Sequence, residues 1–227
     1  MNLAVAVGAR LLLVSHPHAS ASLLLRVLAG LTHASAGTVR LAGVDRADSS
    51  PSGWARRVGY VGPDAGIYPW MTPREVLELA GRLAGFDANQ RRRRVDKAAD
   101  TYRVSLQLDE PIRRGGESLA QRTALAAVML TDPEVLLLDE PLRAVEPTER
   151  IRLLAIPGAR RTVLIASRFP ASEAGLVNQV ALIREGRIAV HAPVRELDAR
   201  GLSLSQRSIE SLADLVAADR QRAAASG

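Results

Sequence analysis

Apolar and polar positions change period several times along this chain, and each change predicts an element. NLAVAVGARLLLV, residues 2–14, alternates apolar side chains around Gly8 and predicts two strands joined by a tight turn. LLLRVLAGL (23–31) then predicts a helix, Ala36-Gly37 a turn, TVRL (38–41) a short strand and WARRVGYV (54–61) another. These small strands are expected to form an antiparallel layer beside a larger sheet. From Pro73 the period becomes helical, with proline in the first turn, Glu75 behind it and apolar residues at Val76, Leu77, Leu79 and Leu83. Further helices are expected at about 90–104 and 118–130. The unbroken runs VLLL (135–138) and TVLIAS (162–167) predict buried parallel strands, and QVALIREGRIAV (179–190) predicts a hairpin around Glu185-Gly186. Beyond Pro193 the pattern is helical and polar, down to the closing RQRAAASG.

Core strands flanked by helices, with a helical block after the first third, make an α/β architecture. Neither a repeat nor a long linker interrupts it. The expected organisation is one domain over 1–227, with a helical subdomain at about 73–130, a second part of the core at 131–192 and a helical tail at 193–227.

Composition narrows the function classes. With 227 residues, 47% of them hydrophobic, the chain can bury a substantial core. The absence of cysteine excludes a disulfide framework and fits a reducing compartment. No apolar run approaches the roughly 18 residues of a bilayer span, so a membrane contact is expected to run through a partner. The net charge of +6 raises nucleic acid or an anionic surface as partners. That charge is nearly all arginine and evenly spread, Lys97 being the only lysine. Its one dense cluster, QRRRRVDK (90–97), reads as a solvated helix face, and aromatics at 3% leave little for stacking on bases. Nucleic acid is therefore not the expected partner.

The order and spacing of these pieces resemble the nucleotide-binding subunit of ABC transporters, an ATP-binding cassette on the P-loop NTPase plan, over almost the whole chain. LLLRVLAGL, ASAGTVRLAG, VGYVGPDAGIYPWMTPREVLEL, QRTALAAVMLTDPEVLLLDEP, TVLIAS and REGRIAV carry the likeness, and TDPEVLLLDEP is the most specific of them. The resemblance implies a mainly parallel core sheet with a small antiparallel layer and an inserted helical subdomain. It also implies ATP and Mg²⁺ as cofactors where binding is retained. The partners it implies are a second cassette, in a homo- or heterodimer, and a membrane permease that would hold this cytoplasmic chain at the inner face of the cell membrane.

Set against that family, the nucleotide motifs are altered. Its phosphate loop, G-x-x-x-x-G-K-[ST], uses glycines to bring backbone N–H groups to phosphate oxygens and a lysine for charge. Here the loop is Ser15, His16, Pro17, His18, Ala19, Ser20, Ala21 and Ser22. Ser15 and Ser20 stand for the two glycines, Ala21 for the lysine and Ser22 for the Mg²⁺-contacting serine. Only Ser22 keeps its chemistry, and Lys97 lies too far away for a shifted register to restore the charge. A helix N-terminus alone attracts an anion by only about 0.3–1 kcal/mol. His16 and His18 are too few for a closed metal site, and the segment reads as an exposed polar loop.

The acidic strand end is kept: Asp139 matches the family's Mg²⁺-organising carboxylate and Glu140 its catalytic base. A purely structural role, capping the strand and holding neighbouring loops, fits the same residues equally well. Pro63 occupies the position of the family's glutamine and offers no side-chain acceptor. Arg168 replaces the switch histidine with a permanent cation. The signature L-S-G-G-Q is met by RRGGESLAQR (113–122). Counting back from Gln121-Arg122 puts Glu117 and Ser118 at the paired glycines, whereas anchoring on Arg113-Arg114 leaves the loop short. A carboxylate at Glu117 would repel a γ-phosphate. Such a pattern fits a catalytically degenerate cassette kept as a structural or regulatory partner, docking through the groove near Tyr68 to Arg74. Two other functions stand beside it: an active transporter ATPase with an atypical phosphate loop, and a basic nucleic-acid-binding protein on the same scaffold.

Overall fold

The computed structural model describes residues 1–15, 19–158 and 160–225. At its centre lies a six-stranded sheet in the order β4 (Val58–Val61), β5 (Val135–Asp139), β6 (Thr162–Ala166), β1 (Arg10–Ser15), β7 (Gln179–Arg184) and β8 (Arg187–Pro193). The first five strands run parallel, and β8 returns antiparallel to β7. The expected hairpin turn is present: Glu185 and Gly186 have φ of 50° and 72°, the double positive φ of a tight right-twisted hairpin.

The apolar runs are unbroken because both faces of the sheet are covered. Successive side chains of a strand point to opposite faces. Leu11, Leu13, Leu137 and Leu164 pack with Ala21 and Leu25 of α1 (Ala19–Ala29) and with Trp54 of α2 (Pro51–Arg57). Their neighbours Leu12, Val14, Leu136, Leu138 and Ile165 pack on the other side. That second layer draws on α3 (Pro73–Leu83), α4 (Ala88–Thr101), α5 (Gly116–Met129) and α6 (Pro147–Ala155). It also includes Leu197 of α7 (Arg195–Asp198) and residues of α8 (Gln206–Ala225). Capping boxes start two of these helices, Thr72 with Glu75 at α3 and Asp87 with Gln90 at α4.

Three expectations are corrected. Residues 2–7 form no strand, although their alternation is real: Leu3 and Val5 pack on the α1 side while Ala4 and Ala6 face solvent. Gly8 keeps its turn, with φ of 79° and an Ala9 N–H to Ala6 carbonyl bond of 3.1 Å. Residues 54–57 belong to α2, because the Ser50 side chain accepts from Gly53 N–H and Pro51 fills the first turn. The strand starts at Val58 and joins the parallel sheet, so the antiparallel layer is only β2 (Arg40–Leu41) paired with β3 (Val44–Asp45). Finally, α8 is amphipathic rather than polar: Ile209, Leu212 and Ala213 are buried, and Asp214 pairs with Arg184 at 2.8 Å.

Candidate functional site

Parallel pairing brings the carboxyl ends of β1, β4, β5 and β6 to one edge of the sheet, where open α/β sheets bind their ligands. Ser15 closes β1 and Ala19 opens α1. His16, Pro17 and His18, together with the side chain of Ala19, lie outside the described residues.

Ser15 is buried, and its Oγ accepts the backbone N–H of Ala21 at 3.1 Å. An N–H in the first turn of a helix is a donor that a bound anion would use; here the chain itself supplies the acceptor. Ser20 is half-buried, and Ala21 is fully buried with no charge to offer. Ser22 Oγ donates to Asp139 Oδ1 at 2.9 Å. The other carboxylate oxygen accepts from the Tyr60 hydroxyl at 3.3 Å. Burial first, then the charge and hydrogen bond of Asp139, push the Tyr60 phenol up to about 12.

Glu140 follows β5 with φ of 50°, the left-handed region that non-glycine residues seldom occupy. Its N–H bonds the Ala166 carbonyl at 2.9 Å, anchoring the turn to the end of β6. Its Oε1 accepts the Arg168 N–H at 2.7 Å and the Arg168 Nε at 3.3 Å. Arg168 is 52% exposed while Glu140 is only 8% exposed, so the cation covers the carboxylate from the solvent side.

Gly115 is the N-cap of α5 and Gly116 its first residue, with φ of +65°. A Cβ on Gly115 would stand 2.5 Å from Leu119 Cδ2, so only glycine fits there without rearrangement. The paired glycines therefore open the helix, with Glu117 in its first turn and Ser118 half-buried behind it. Glu117 Oε1 accepts from Gln121 Nε2 at 3.0 Å and pairs with Arg143 at 3.4 Å. Arg143 also reaches Asp64, next to the half-buried Pro63, at 3.8 Å. Gln121 Oε1 accepts the Ala144 N–H at 2.9 Å. The charge of Glu117 is thus already countered by Arg143, a contact that the motif alone did not reveal.

Behind this edge Arg150 forms an ion pair of 2.6 Å with the fully buried Glu173 and donates to the Pro141 and Ser172 carbonyls. One guanidinium ties the loop after β5 to the segment after β6.

A family model described as ABC transporter matches residues 1–143. The chain belongs to the ABC transporter family. Nod factor export ATP-binding protein I of Burkholderia lata is 32% identical over 176 residues, which is 74% of this chain and 57% of that protein. The chain spans little more than half the length of the curated relatives it matches. Among solved structures, the ATP binding subunit of an ABC transporter superposes with a TM-score of 0.80 at 19% identity, over 93% of this chain and 90% of that one. The ATP-binding cassette MJ0796, a dimer in a post-hydrolysis state bound to ADP and Pi, gives 0.74 at 16% identity, over 86% and 89%. These likenesses establish the ABC cassette fold: a mostly parallel sheet, a small antiparallel ladder and covering helices.

ABC cassettes bind ATP, and the residues of this one meet that ligand unevenly. Ser22 and Asp139 offer adjacent hard oxygens of the kind Mg²⁺ takes, but Mg²⁺ held by one or two protein oxygens relies on phosphates for the rest of its shell. Among the described residues no cluster of three or more His, Cys, Asp or Glu could hold a metal ion. The triphosphate itself fits poorly where Ser15 occupies a helix N–H and Ala21 is neutral. Among the described residues no helix is long and apolar enough to cross a membrane.

Sequence reasoning missed two members of this site, Tyr60 and Arg143. Tyr60 lies in an apolar strand, and only the pairing of β4 beside β5 turns its hydroxyl toward Asp139. Arg143 carried one usable signal, its place four residues after Asp139 on the same connection.

Proposed function

We propose that this chain is an ATP-binding subunit of an ABC transporter whose own catalytic site is degenerate, serving as a structural or regulatory partner of an active cassette and a membrane permease. The observation that carries this reading is the Arg168 contact with Glu140. A general base needs a carboxylate within reach of the proton it removes. Here one oxygen of Glu140 accepts two donors from a single residue, one of them a permanent cation. The Ser15 bond to Ala21 N–H supports the same reading at the phosphate end.

A docking role draws support from the segment at 68–71. Tyr68 and Trp70 stack with ring centroids 4.6 Å apart while remaining 61% and 62% exposed. Backbone bonds from Arg113 N–H to the Pro69 carbonyl, 2.9 Å, and from Ile112 N–H to the Met71 carbonyl, 2.8 Å, link this pair to the residues that lead into α5. A permease helix seated on Tyr68 and Trp70 would hold the chain at the inner face of the membrane and act directly on the segment before Gly115.

Phosphate release by the purified chain tests the reading, with no hydrolysis expected. Turnover near or above about 1 s⁻¹, abolished by Glu140→Gln, would overturn it. The Ser22–Asp139 contact favours a second reading, an active ATPase with an atypical phosphate loop, for which micromolar Mg²⁺-dependent binding of a fluorescent ATP analogue would speak. The nucleic-acid reading has no comparable support. Arg91 and Arg94 turn back to the Phe86 and Leu130 carbonyls, which leaves Arg92, Arg93 and Lys97 as the cations of the cluster without such a bond among the described residues.

A further inference from the structure

Away from the carboxyl edge of the sheet, α4 and the far end of α5 border an open cavity of about 630 Å³. That volume is ordinary for a small-molecule site. Glu117 and Met129 lie near opposite ends of α5, so at about 1.5 Å rise per residue the cavity sits roughly 20 Å along the helix from the Glu117 cluster. Nothing in the nucleotide motifs accounts for it.

The two sides of the cavity differ in chemistry. Phe86, Tyr102, Met129 and Ile156 supply apolar surface, and burial pushes the Tyr102 phenol up to about 12, as expected beside a low-dielectric wall. Arg93, Arg94 and Lys97 line the α4 side. Arg94 is committed to the protein, donating to the Leu130 carbonyl at 2.7 Å and lying 4.4 Å from the centre of the Phe86 ring. The one carboxylate in the lining, Asp132, already pairs with Arg161. Among the described residues no carboxylate lies within ion-pair distance of Arg93 or Lys97, and both are exposed. Two uncompensated cations thus stand beside an apolar wall.

We propose that this cavity binds an amphiphilic carboxylate, a medium-chain fatty acid, with its head between Arg93 and Lys97 and its chain against Phe86, Tyr102, Met129 and Ile156. Neither half of the site suffices alone. Exposed cations hold a simple anion weakly, because water and salt screen the pair. An apolar wall contributes through the area it removes from water, about 25 cal/mol per Å², whatever the head group. An anionic head joined to an aliphatic body satisfies both sides at once.

Calorimetric titration of the full chain with decanoate below its micelle concentration tests this. One saturable site per chain is expected, with acetate and decanol both binding far more weakly. Arg93→Glu combined with Lys97→Glu is expected to weaken decanoate by about tenfold or more, as reversal of the charges facing a bound anion should. Both side chains are exposed, so folding is not at risk, and circular dichroism checks it. Ile156→Gln, on the apolar wall, is expected to weaken decanoate while leaving acetate unchanged. Unaltered decanoate binding in the double variant would overturn the proposal. So would loss of binding in Trp70→Ala, which would assign the ligand to the exposed aromatic pair instead. Retention on anionic vesicles without any binding of free decanoate would equally overturn it and point to a lipid surface.

Discussion

Arg168 brings two donors to a single oxygen of Glu140, its backbone N–H at 2.7 Å and its guanidinium Nε at 3.3 Å. The backbone donor depends on the turn after β6 and not on the side chain. Arg168→Ala therefore leaves the shorter bond in place. Since the guanidinium is half-exposed, its loss is expected to lower stability by less than about 1 kcal/mol in urea unfolding. Phosphate release is expected to stay undetectable in this variant, because removing the cation restores neither a lysine at Ala21 nor glycines at Ser15 and Ser20. Hydrolysis appearing in Arg168→Ala would mean that the cation alone silences the site.

Tyr60 makes the Asp139 contact measurable. Its phenol is pushed up to about 12, above the usual value near 10, by burial and by the neighbouring carboxylate. The folded chain keeps this proton where the unfolded chain releases it, so the associated stability is complete below about pH 10 and is lost as pH rises toward 12. Tyrosinate absorbance should show a component titrating near pH 12 that disappears in Tyr60→Phe, apart from the similar contribution of Tyr102. Asp139→Asn removes the charge but not the burial, so Tyr60 should then ionise earlier while staying above its ordinary range.

Ser15→Ala strips the acceptor from Ala21 N–H in a buried turn. A buried donor left without a partner costs about 1–3 kcal/mol, and urea unfolding should register a loss in that range. An unchanged midpoint would indicate that water or a neighbouring residue takes over the bond.

Arg150 and Glu173 form the most secluded ion pair described, at 12% and 0% side-chain exposure. Arg150→Met leaves a carboxylate buried without its cation, which is expected to cost about 3–5 kcal/mol. Adding Glu173→Leu should recover most of that loss, since removing both charges also removes the desolvation cost. Thermal unfolding of the single and double variants measures the difference.

Much of the fold was legible because it rests on local period and short motifs. VLLL and TVLIAS predict parallel strands, and both pair as such; Pro73 and Glu75 announce the start of α3. The miss at residues 54–57 had a readable cause, for Ser50 and Pro51 are a helix start, and the apolar Trp54 was joined instead to the strand Val58–Val61 that follows directly. At the candidate site, Asp139, Glu140 and Arg168 were readable as residue types, but the bond between Glu140 and Arg168 was not. That bond spans 28 positions and depends on β6 lying beside β5. Tyr60 was less accessible still, since its partner lies 79 residues away and a strand tyrosine carries no mark of which way its hydroxyl will face.

The position of β1 has a consequence for synthesis. Of the six strands of the sheet β1 is made first, yet its neighbours, β6 and β7, are the fourth and fifth to be made. At about 5–20 residues per second, LLLV waits on the order of ten seconds with no strand to pair with. The β1 segment therefore stays unpaired longer than any other strand of the sheet, and the carboxyl edge carrying Ser15 cannot assemble until β6 has been made.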